Sequence, residues 1–289
     1  ITRMAQLAGK TFGYIPFTPI VDLINLPECV AIDPMLRDCW DGERFIADTP
    51  RGRAVVQARL TGAASAPPAA PTHLVLHIAA DTPDAPAFMS LDAVRRHIDH
   101  FLSQLSDEPA LVTLRSAAPW SIADPLDHPD LSRIIAAIRE RNDSHLHIRT
   151  PLTARRFDAS SLLSGMAEII SVDLAAESQA CYAGVTGRTD TSLWSLTRER
   201  LHQLISGRRS AWAVPWIVPR LTRCDAAYGD MDAFYRPRLI QCGAAIIDPL
   251  DVPRPGERIE PLPIPESARR RLARTTRIVG IDGVGQRPW

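Results

Sequence analysis

Short apolar runs alternate with longer segments of helical periodicity from residue 73 to about residue 250. Such alternation is typical of βα units, in which each strand is followed by a helix and the strands pair in parallel. The apolar runs lie at residues 74–78, 111–115, 145–149, 169–174, 213–219 and 244–248. The pattern therefore predicts an α/β fold with six parallel strands.

Three of the intervening segments carry clear helix boundaries. Ser90 and Asp130 each precede an apolar stripe with helical spacing, and both are residue types that cap helix N-termini. A third helix is predicted to begin near Asp190 or Thr191 and to stop at Gly207, a residue type that often ends helices. These boundaries support the interpretation of the chain as successive βα units.

Prolines predict irregularity in two later elements. Pro237 would kink or interrupt a helix within residues 231–243, because proline has no backbone N–H. Pro215 and Pro219 lie in the fifth apolar run, and internal prolines exclude a strand from the centre of a sheet. We therefore expect the fifth strand to be short or to lie at an edge.

A stretch rich in small residues and proline, GAASAPPAAPT, divides the chain at residues 62–72. This composition does not pack as helix or strand, and it predicts a linker. Residues 1–61 then form an N-terminal segment, which is either the tail of an upstream domain or an arm packed on the main domain. Residues 73–252 form the predicted main domain, and residues 253–289 are a C-terminal extension.

Composition and charge argue against several classes of protein. Thirty-three Lys and Arg balance 33 Asp and Glu, so no overall field would draw the chain to nucleic acid or to an anionic membrane. The longest basic run, residues 267–277, has no interleaved aromatic residues and is predicted to be a solvated helix face. No apolar run approaches the ~20 residues of a membrane span, and no signal peptide is visible. We expect a cytoplasmic protein without nucleic-acid or membrane partners.

Sequence motifs for metals, nucleotides and hydrolysis are absent. The five cysteines are scattered without the spacing of a zinc site, a redox pair or an iron–sulfur site. The chain also lacks GxGxxG after its first strand, GxxxxGK[ST], GxSxG and HExxH. His145 and His147 share a strand face and, with Asp127, His128 and Asp130, suggest a metal site. A turn that leads into a capped helix is the favoured interpretation of that region.

Several segments follow one another in an order known from one enzyme family. After the second strand comes DPLDHPDL (residues 124–131), and the fourth strand with its loop reads IISVDLAAESQACYAGVTG (residues 169–187). The last two units follow in residues 212–250. This order resembles the core of radical S-adenosylmethionine enzymes (radical SAM enzymes). The resemblance implies a partial (β/α)6 barrel over residues 73–252.

The cysteine motif of that family is missing here. In the family, the loop after the first strand carries CxxxCxxC, three thiolates that hold a four-iron four-sulfur cluster. In this chain the loop reads AADTPDAPAF (residues 79–88) and contains no cysteine. The resemblance therefore implies a degenerate scaffold without an iron–sulfur cluster and without the family's radical chemistry. S-adenosylmethionine stays a candidate ligand.

Charged residues stand at or just past the ends of the predicted strands: Asp81, Arg115, Arg149, Asp173, Arg220 and Asp248. Ligands sit at this edge in barrels and in open α/β sheets. One interpretation is a pocket for a small anionic or zwitterionic ligand, with arginines as clamps for carboxylate or phosphate. The other interpretation is that these charges cap the strands and pair with one another.

The resemblance adds Asp124 to these candidates. Asp124 stands where the family has a glutamate that holds the methionyl amino group of the cofactor. The predicted ligand-binding residues are Asp124, Asp173, Arg115 and Arg149.

Three functions are compatible with these features. The first is a degenerate radical SAM-type domain that binds a ligand or a partner within a larger protein. The second is an enzyme that uses the mouth of the barrel for non-radical chemistry on a small anionic or zwitterionic molecule. The third is a structural module that serves an upstream domain.

Overall fold

The computed structural model describes residues 73–105, 111–140, 145–164, 167–208, 215–242, 245–249, 276–283 and 285–286. The predicted N-terminal segment (residues 1–61) and linker (residues 62–72) lie outside the described residues. Most of the predicted C-terminal extension lies outside them as well.

The described strands belong to one sheet. They are β1 (His73–Ala80), β2 (Ala87–Phe88), β3 (Leu111–Ser116), β4 (His145–Thr150), β5 (Ile169–Leu174), β6 (Trp216–Arg223), β7 (Ile246–Pro249), β8 (Thr276–Val279) and β9 (Gly285–Gln286). Strands β1, β3, β4, β5, β6 and β7 lie side by side in chain order, and each neighbouring pair is parallel. The predicted α/β fold with a parallel sheet is confirmed.

The sheet is open within the described residues. Strand β7 forms one edge, and on the other side β8 pairs in parallel with β1 while β9 pairs antiparallel with β8. The short strand β2 pairs antiparallel with the end of β1. Because β8 belongs to the predicted C-terminal extension, that part of the extension completes the main sheet.

The described α-helices are α1 (Leu91–Leu102), α2 (Leu131–Arg139), α3 (Ala159–Leu163), α4 (Gln179–Thr186), α5 (Ser192–Gly207) and α6 (Met231–Cys242). The three predicted helices correspond to α1, α2 and α5. Ser90 caps α1 as predicted, since its hydroxyl accepts the backbone N–H of Ala93. Helix α6 continues through Pro237. None of the described helices is long and apolar enough to cross a membrane.

The expectation for the fifth strand is wrong. Strand β6 has eight residues and lies between β5 and β7. Its ladder with β7 begins only at Arg220. Pro215 and Pro219 precede that ladder, so their missing N–H groups do not interrupt it.

Alternate residues of each strand face opposite sides of the sheet. One side packs against the helices in an apolar core. Its strand residues include Leu74, Leu76, Ile78, Val112, Leu114, Leu146, Ile148, Ile170 and Val172. Val94, Ile98 and Phe101 of α1 pack into the same core, and burial of each such side chain contributes about 1.5–3 kcal/mol. The residues between these core positions face the other side of the sheet.

Candidate functional site

The other face of the sheet is buried but polar. It carries His73, His77, Thr113, Arg115, His147, Arg149, Ser171, Asp173, Arg220 and Thr222, and none of these is more than 6 % exposed. In β/α barrels this face is usually filled by branched apolar side chains. A buried polar layer must instead satisfy its hydrogen bonds within the protein.

Side chains from six neighbouring strands form a chain of hydrogen bonds across this face, here called the polar ladder: Thr276, His73, Thr113, His147, Ser171 and Arg220. Thr113 Oγ1 is central, 2.8 Å from His73 Nε2 and 2.9 Å from His147 Nδ1. His147 Nε2 lies 2.7 Å from Ser171 Oγ. The two outer contacts of the ladder are 3.4 Å long.

Arg220 can only donate to the ladder, because a guanidinium group has no acceptor. One arrangement of protons fits all of these contacts. In it, Ser171 accepts from Arg220 and donates to His147 Nε2, His147 donates from Nδ1 to Thr113, and Thr113 donates to His73 Nε2. Both histidines are neutral in this arrangement.

Burial keeps the two histidines neutral. Desolvation, followed by the charge of Arg220, lowers the pKa of His73 to about 3. Desolvation also lowers the pKa of His147 well below its usual value, and the nearby charges act in the same direction: Arg220, His73, Arg149 and Arg115. A proton on either ring would place a donor against a hydroxyl that already donates to it.

The substitution Thr113→Val should lower the free energy of unfolding by about 2–3 kcal/mol at neutral pH, because valine keeps the shape but leaves two buried ring nitrogens without their shared partner. Thr113→Ser keeps the hydroxyl and removes one buried methyl group, so it should cost about 1 kcal/mol. Urea denaturation of both variants measures the difference. Equal losses would show that the hydroxyl does not join the two histidines.

A buried ion pair lies on the same face, next to the polar ladder. Arg149 Nε donates to both oxygens of Asp173, at 2.7 and 2.9 Å. The two side chains are 3 % and 4 % exposed. On the far side of Asp173, Arg220 is its register partner on β6. Arg149 and Asp173, both predicted as ligand-binding residues, are therefore brought together.

A pocket opens at the carboxyl ends of β4 and β5, beside the loop that follows β3. This is the edge at which parallel sheets bind ligands. The lining of the pocket includes Trp120, Asp173, Tyr182, Arg188, Trp194 and Thr197. Asp173 belongs both to the polar face and to the pocket, so it connects the two.

Three threonines of the pocket are held by backbone carbonyl groups. The bonds run from Thr153 to Ile122 (2.9 Å), from Thr186 to Tyr182 (2.7 Å) and from Thr197 to Pro151 (2.8 Å). Each hydroxyl thereby uses its one proton and retains only acceptor capacity. Thr186 is fully buried, and its oxygen already accepts the backbone N–H of Arg188 at 3.2 Å. Of the three, the oxygens of Thr153 and Thr197 can accept a hydrogen bond from a ligand.

The indole of Trp194 is held in one orientation. Its Nε1 donates to the carbonyl oxygen of Ala176 at 3.2 Å. The guanidinium group of Arg198 lies 4.8 Å from the ring centroid and also donates to Glu177 at 2.7 Å. An aromatic wall fixed in this way loses little entropy when a flat ligand stacks on it.

The residues after β4, which form one wall of the pocket, carry backbone strain. Leu152 has φ of 56°, in the left-handed region that non-glycine residues rarely adopt. Its N–H donates to Thr150 Oγ1 at 2.8 Å, and Arg200 donates to its carbonyl oxygen at 2.7 Å. Its chain neighbours Pro151 and Thr153 line the pocket. Strain of this kind occurs preferentially at functional sites.

Asp124 is fully buried and does not line the pocket. It caps the short 3-10 helix Pro125–Asp127. Its carboxylate accepts hydrogen bonds from four groups: the N–H of Leu126, the hydroxyl of Thr150 and the N–H groups of Thr153 and Ala154. Burial raises the pKa of Asp124 to about 6, although these bonds act to lower it. The carboxylate is occupied by donors of the protein itself, which stabilise the strained turn after β4.

The other predicted strand-end residues have separate positions. Asp81 accepts two backbone N–H groups of the loop after β3, at 2.7–3.0 Å, and lies 3.8 Å from Arg188. Arg115 is buried, and its Nε donates to a backbone carbonyl group at 3.1 Å. Arg220 belongs to the polar ladder. The side chain of Asp248 lies outside the described residues.

The sequence analysis missed Trp120, Arg188 and Trp194. Trp120 stands in the loop after β3, and the other two follow β5. Ligands sit at the carboxyl ends of strands. When this rule is extended to the loop and the helix that follow each strand, it includes these three residues. Applied to the last residue of each strand alone, the rule does not reach these three side chains.

The three described cysteines lie in two places. Cys181 and Cys224 adjoin one small apolar cluster beside α4, whereas Cys242 is buried at the end of α6. Burial raises the pKa of each of the three thiols. Cys29 and Cys39 lie outside the described residues.

The metal site suggested by the histidine spacing is not assembled in the described part of the chain. His147 bonds to Thr113 and Ser171, while His128 Nε2 lies 2.7 Å from the carbonyl oxygen of Met89. Within the described residues, no group of three or more His, Cys, Asp or Glu is arranged to hold a metal ion.

Neither a protein-family model nor a curated protein matches this chain. The resemblance to radical SAM enzymes therefore stays a prediction from the sequence.

Proposed function

We propose that this chain is a small-ligand-binding domain, built on a degenerate radical SAM-type scaffold. One observation carries the proposal. A pocket with fixed walls lies at the carboxyl edge of a parallel sheet, and the buried Asp173 of an ion pair lines it. This is the edge at which α/β proteins bind their ligands.

The charges and rings of the pocket favour a zwitterionic ligand that contains a flat group. Asp173 and Arg188 supply opposite charges, and both line the pocket. Trp120 and Trp194 supply aromatic surface, and indole rings bind flat groups by stacking. A carboxylate on the ligand suits the positive charge of Arg188, whose Nη1 already donates to the carbonyl oxygen of Trp120 at 2.9 Å.

The strand order supports a partial barrel as the scaffold. In the series β1, β3, β4, β5, β6 and β7, each strand lies beside the strand that precedes it, as in β/α barrels. S-adenosylmethionine is the first ligand to test, because the resemblance implies it and it is a zwitterion with a flat base. We leave Asp124 out of the ligand set, since its carboxylate already binds four donors of the protein. No step of radical chemistry is assigned, since the loop after β1 has no cysteine.

Isothermal titration calorimetry at neutral pH tests the proposal. The ligands are S-adenosylmethionine and its two halves, methionine and adenosine. We expect saturable binding of S-adenosylmethionine at one site. Trp194→Leu should weaken this binding by about 5- to 140-fold, because stacking of a base on an aromatic side chain is worth about 1–3 kcal/mol.

The matched control is His202→Gln on the same helix, α5. His202 is exposed and does not line the pocket, so this variant should bind as the unmodified chain does. If the folded protein gives no saturable heat with any of the three ligands, the proposed function is wrong.

A further inference from the structure

The loop after β3 forms one wall of the pocket through Pro119, Trp120 and Ser121. A wall made by a loop favours binding only if the loop already has the position that the ligand needs, because a ligand that has to order the loop loses affinity. The contacts that hold this loop from outside the pocket therefore bear on ligand binding.

Asp81 reaches this loop from the end of β1, the strand that pairs with β3. Its Oδ1 accepts the backbone N–H of Ala123 at 2.7 Å and that of Ile122 at 2.9 Å, and its Oδ2 lies 3.0 Å from the nitrogen of Ile122. One carboxylate thus receives two consecutive N–H groups, so it fixes the backbone of the loop directly after Ser121.

The same carboxylate lies beside a guanidinium group of the pocket. Arg188 Nη2 is 3.8 Å from Asp81 Oδ2, and Arg188 Nη1 donates to the carbonyl oxygen of Trp120 at 2.9 Å. Arg188 itself lines the pocket. Asp81 and Arg188 therefore hold the loop together, one through its N–H groups and the other through the carbonyl group of Trp120.

Asp81 does not line the pocket, so any effect on a ligand passes through the loop and through Arg188. These two routes have opposite signs. Holding the loop in place favours binding, whereas the negative charge of Asp81 repels a ligand carboxylate at Arg188. The sign of the change in affinity when Asp81 is replaced therefore shows which route dominates.

We infer that Asp81 is a positioning residue of the ligand pocket, which fixes the Trp120 loop and the guanidinium group of Arg188 without touching the ligand. The inference rests on the proposed function and adds a residue to the site that the function uses.

Isothermal titration calorimetry with S-adenosylmethionine tests the inference. Asp81→Ala should weaken binding by about fivefold or more, because the ligand then meets a loop whose two N–H groups have lost their acceptor. The matched control is Asp84→Ala, since Asp84 belongs to the same loop after β1, is exposed and does not line the pocket. This control should bind as the unmodified chain does.

Asp81→Asn separates position from charge. Asparagine keeps one side-chain oxygen that can accept from the loop, but it carries no charge. Its affinity should lie between those of Asp81→Ala and the unmodified chain. Asp81→Asn that binds as weakly as Asp81→Ala would show that the accepting oxygen does not hold the loop, and the inference would be wrong.

Amide hydrogen exchange without ligand supplies a second readout. In Asp81→Ala the N–H groups of Ile122 and Ala123 should exchange about tenfold faster. The N–H of Ala117 in the same loop donates to the carbonyl oxygen of Ala79 at 2.8 Å, and its exchange should not change. Unchanged exchange at Ile122 and Ala123 would also overturn the inference.

The outcomes separate this inference from the proposed function. If the unmodified chain binds S-adenosylmethionine and Asp81→Ala binds it equally well or more tightly, the inference is wrong and the function stands. If the unmodified chain binds neither S-adenosylmethionine nor its two halves, both are wrong.

Discussion

Replacing Asp173 by alanine should lower the free energy of unfolding by about 3–5 kcal/mol at neutral pH, the cost of removing one partner from a buried ion pair. Arg149 would keep its charge in a site where its side chain is 3 % exposed. The charge of Arg220 stands on the strand next to Asp173, so repulsion adds to the loss. Urea denaturation monitored by circular dichroism measures the change.

Two controls identify the ion pair as the cause of that loss. Asp130→Ala breaks an exposed ion pair with Arg133 and should cost less than about 1 kcal/mol. The double variant Arg149→Met with Asp173→Leu removes both charges, and it should recover most of the stability lost in the single variant. An Asp173→Ala variant as stable as Asp130→Ala would contradict this account of the buried pair.

Acid should destabilise the fold through the histidines of the polar ladder. The unfolded chain binds protons on histidine below pH 6.5, whereas folding lowers the pKa of His73 to about 3. Stability is therefore lost as the pH falls from about 6.5 towards 3, by up to about 1.4 kcal/mol per pH unit for each such histidine. At pH 4.5, His73 alone should cost about 3 kcal/mol, and His147 acts in the same direction.

Asp124 opposes this trend. Its pKa in the folded protein is about 6, above the ordinary value of 3.8. Its ionised form therefore lowers the free energy of unfolding above pH 6. Protonation at pH 4.5 should restore about 2 kcal/mol of that free energy. The net expectation between pH 7 and pH 4.5 is a loss of stability, because His147 adds to the effect of His73.

The variant His73→Gln isolates one histidine of the ladder. Its stability should fall less steeply with decreasing pH than that of the unmodified chain, by about 1.4 kcal/mol per pH unit between pH 6 and pH 4.5. His202→Gln, on the exposed side of α5, should leave the slope unchanged. Urea denaturation at a series of pH values provides the slopes. Identical slopes for His73→Gln and the unmodified chain would show that His73 is not held neutral.

The apolar pattern predicted the strands well, because alternate residues of a buried strand face a core and are therefore apolar. The runs at residues 74–78 and 169–174 became β1 and β5 with few changes at their ends. The fifth strand was misjudged because the sequence does not show where its neighbour begins to pair. Strand β8 was missed because its four residues stand among arginines, and only pairing with β1 reveals it.

The candidate site was only partly predictable. Strand ends identified Arg149 and Asp173, which the fold brings together. The spacing of His145 and His147 correctly placed both on one strand face, but it could not supply the register that puts Thr113 and Ser171 beside His147. Hydrogen bonds between strands depend on this register. A single sequence does not determine which residues of two strands lie opposite each other.

Amide hydrogen exchange with and without bound ligand tests the central claim, that the pocket beside β4 and β5 is the ligand site. The ligand is the tightest binder among S-adenosylmethionine, methionine and adenosine. We expect slower exchange in residues 117–124, 151–154 and 173–188, with little change in α1 and α2. Unchanged exchange in these three segments at saturating ligand, or protection confined to other parts of the chain, would contradict the claim.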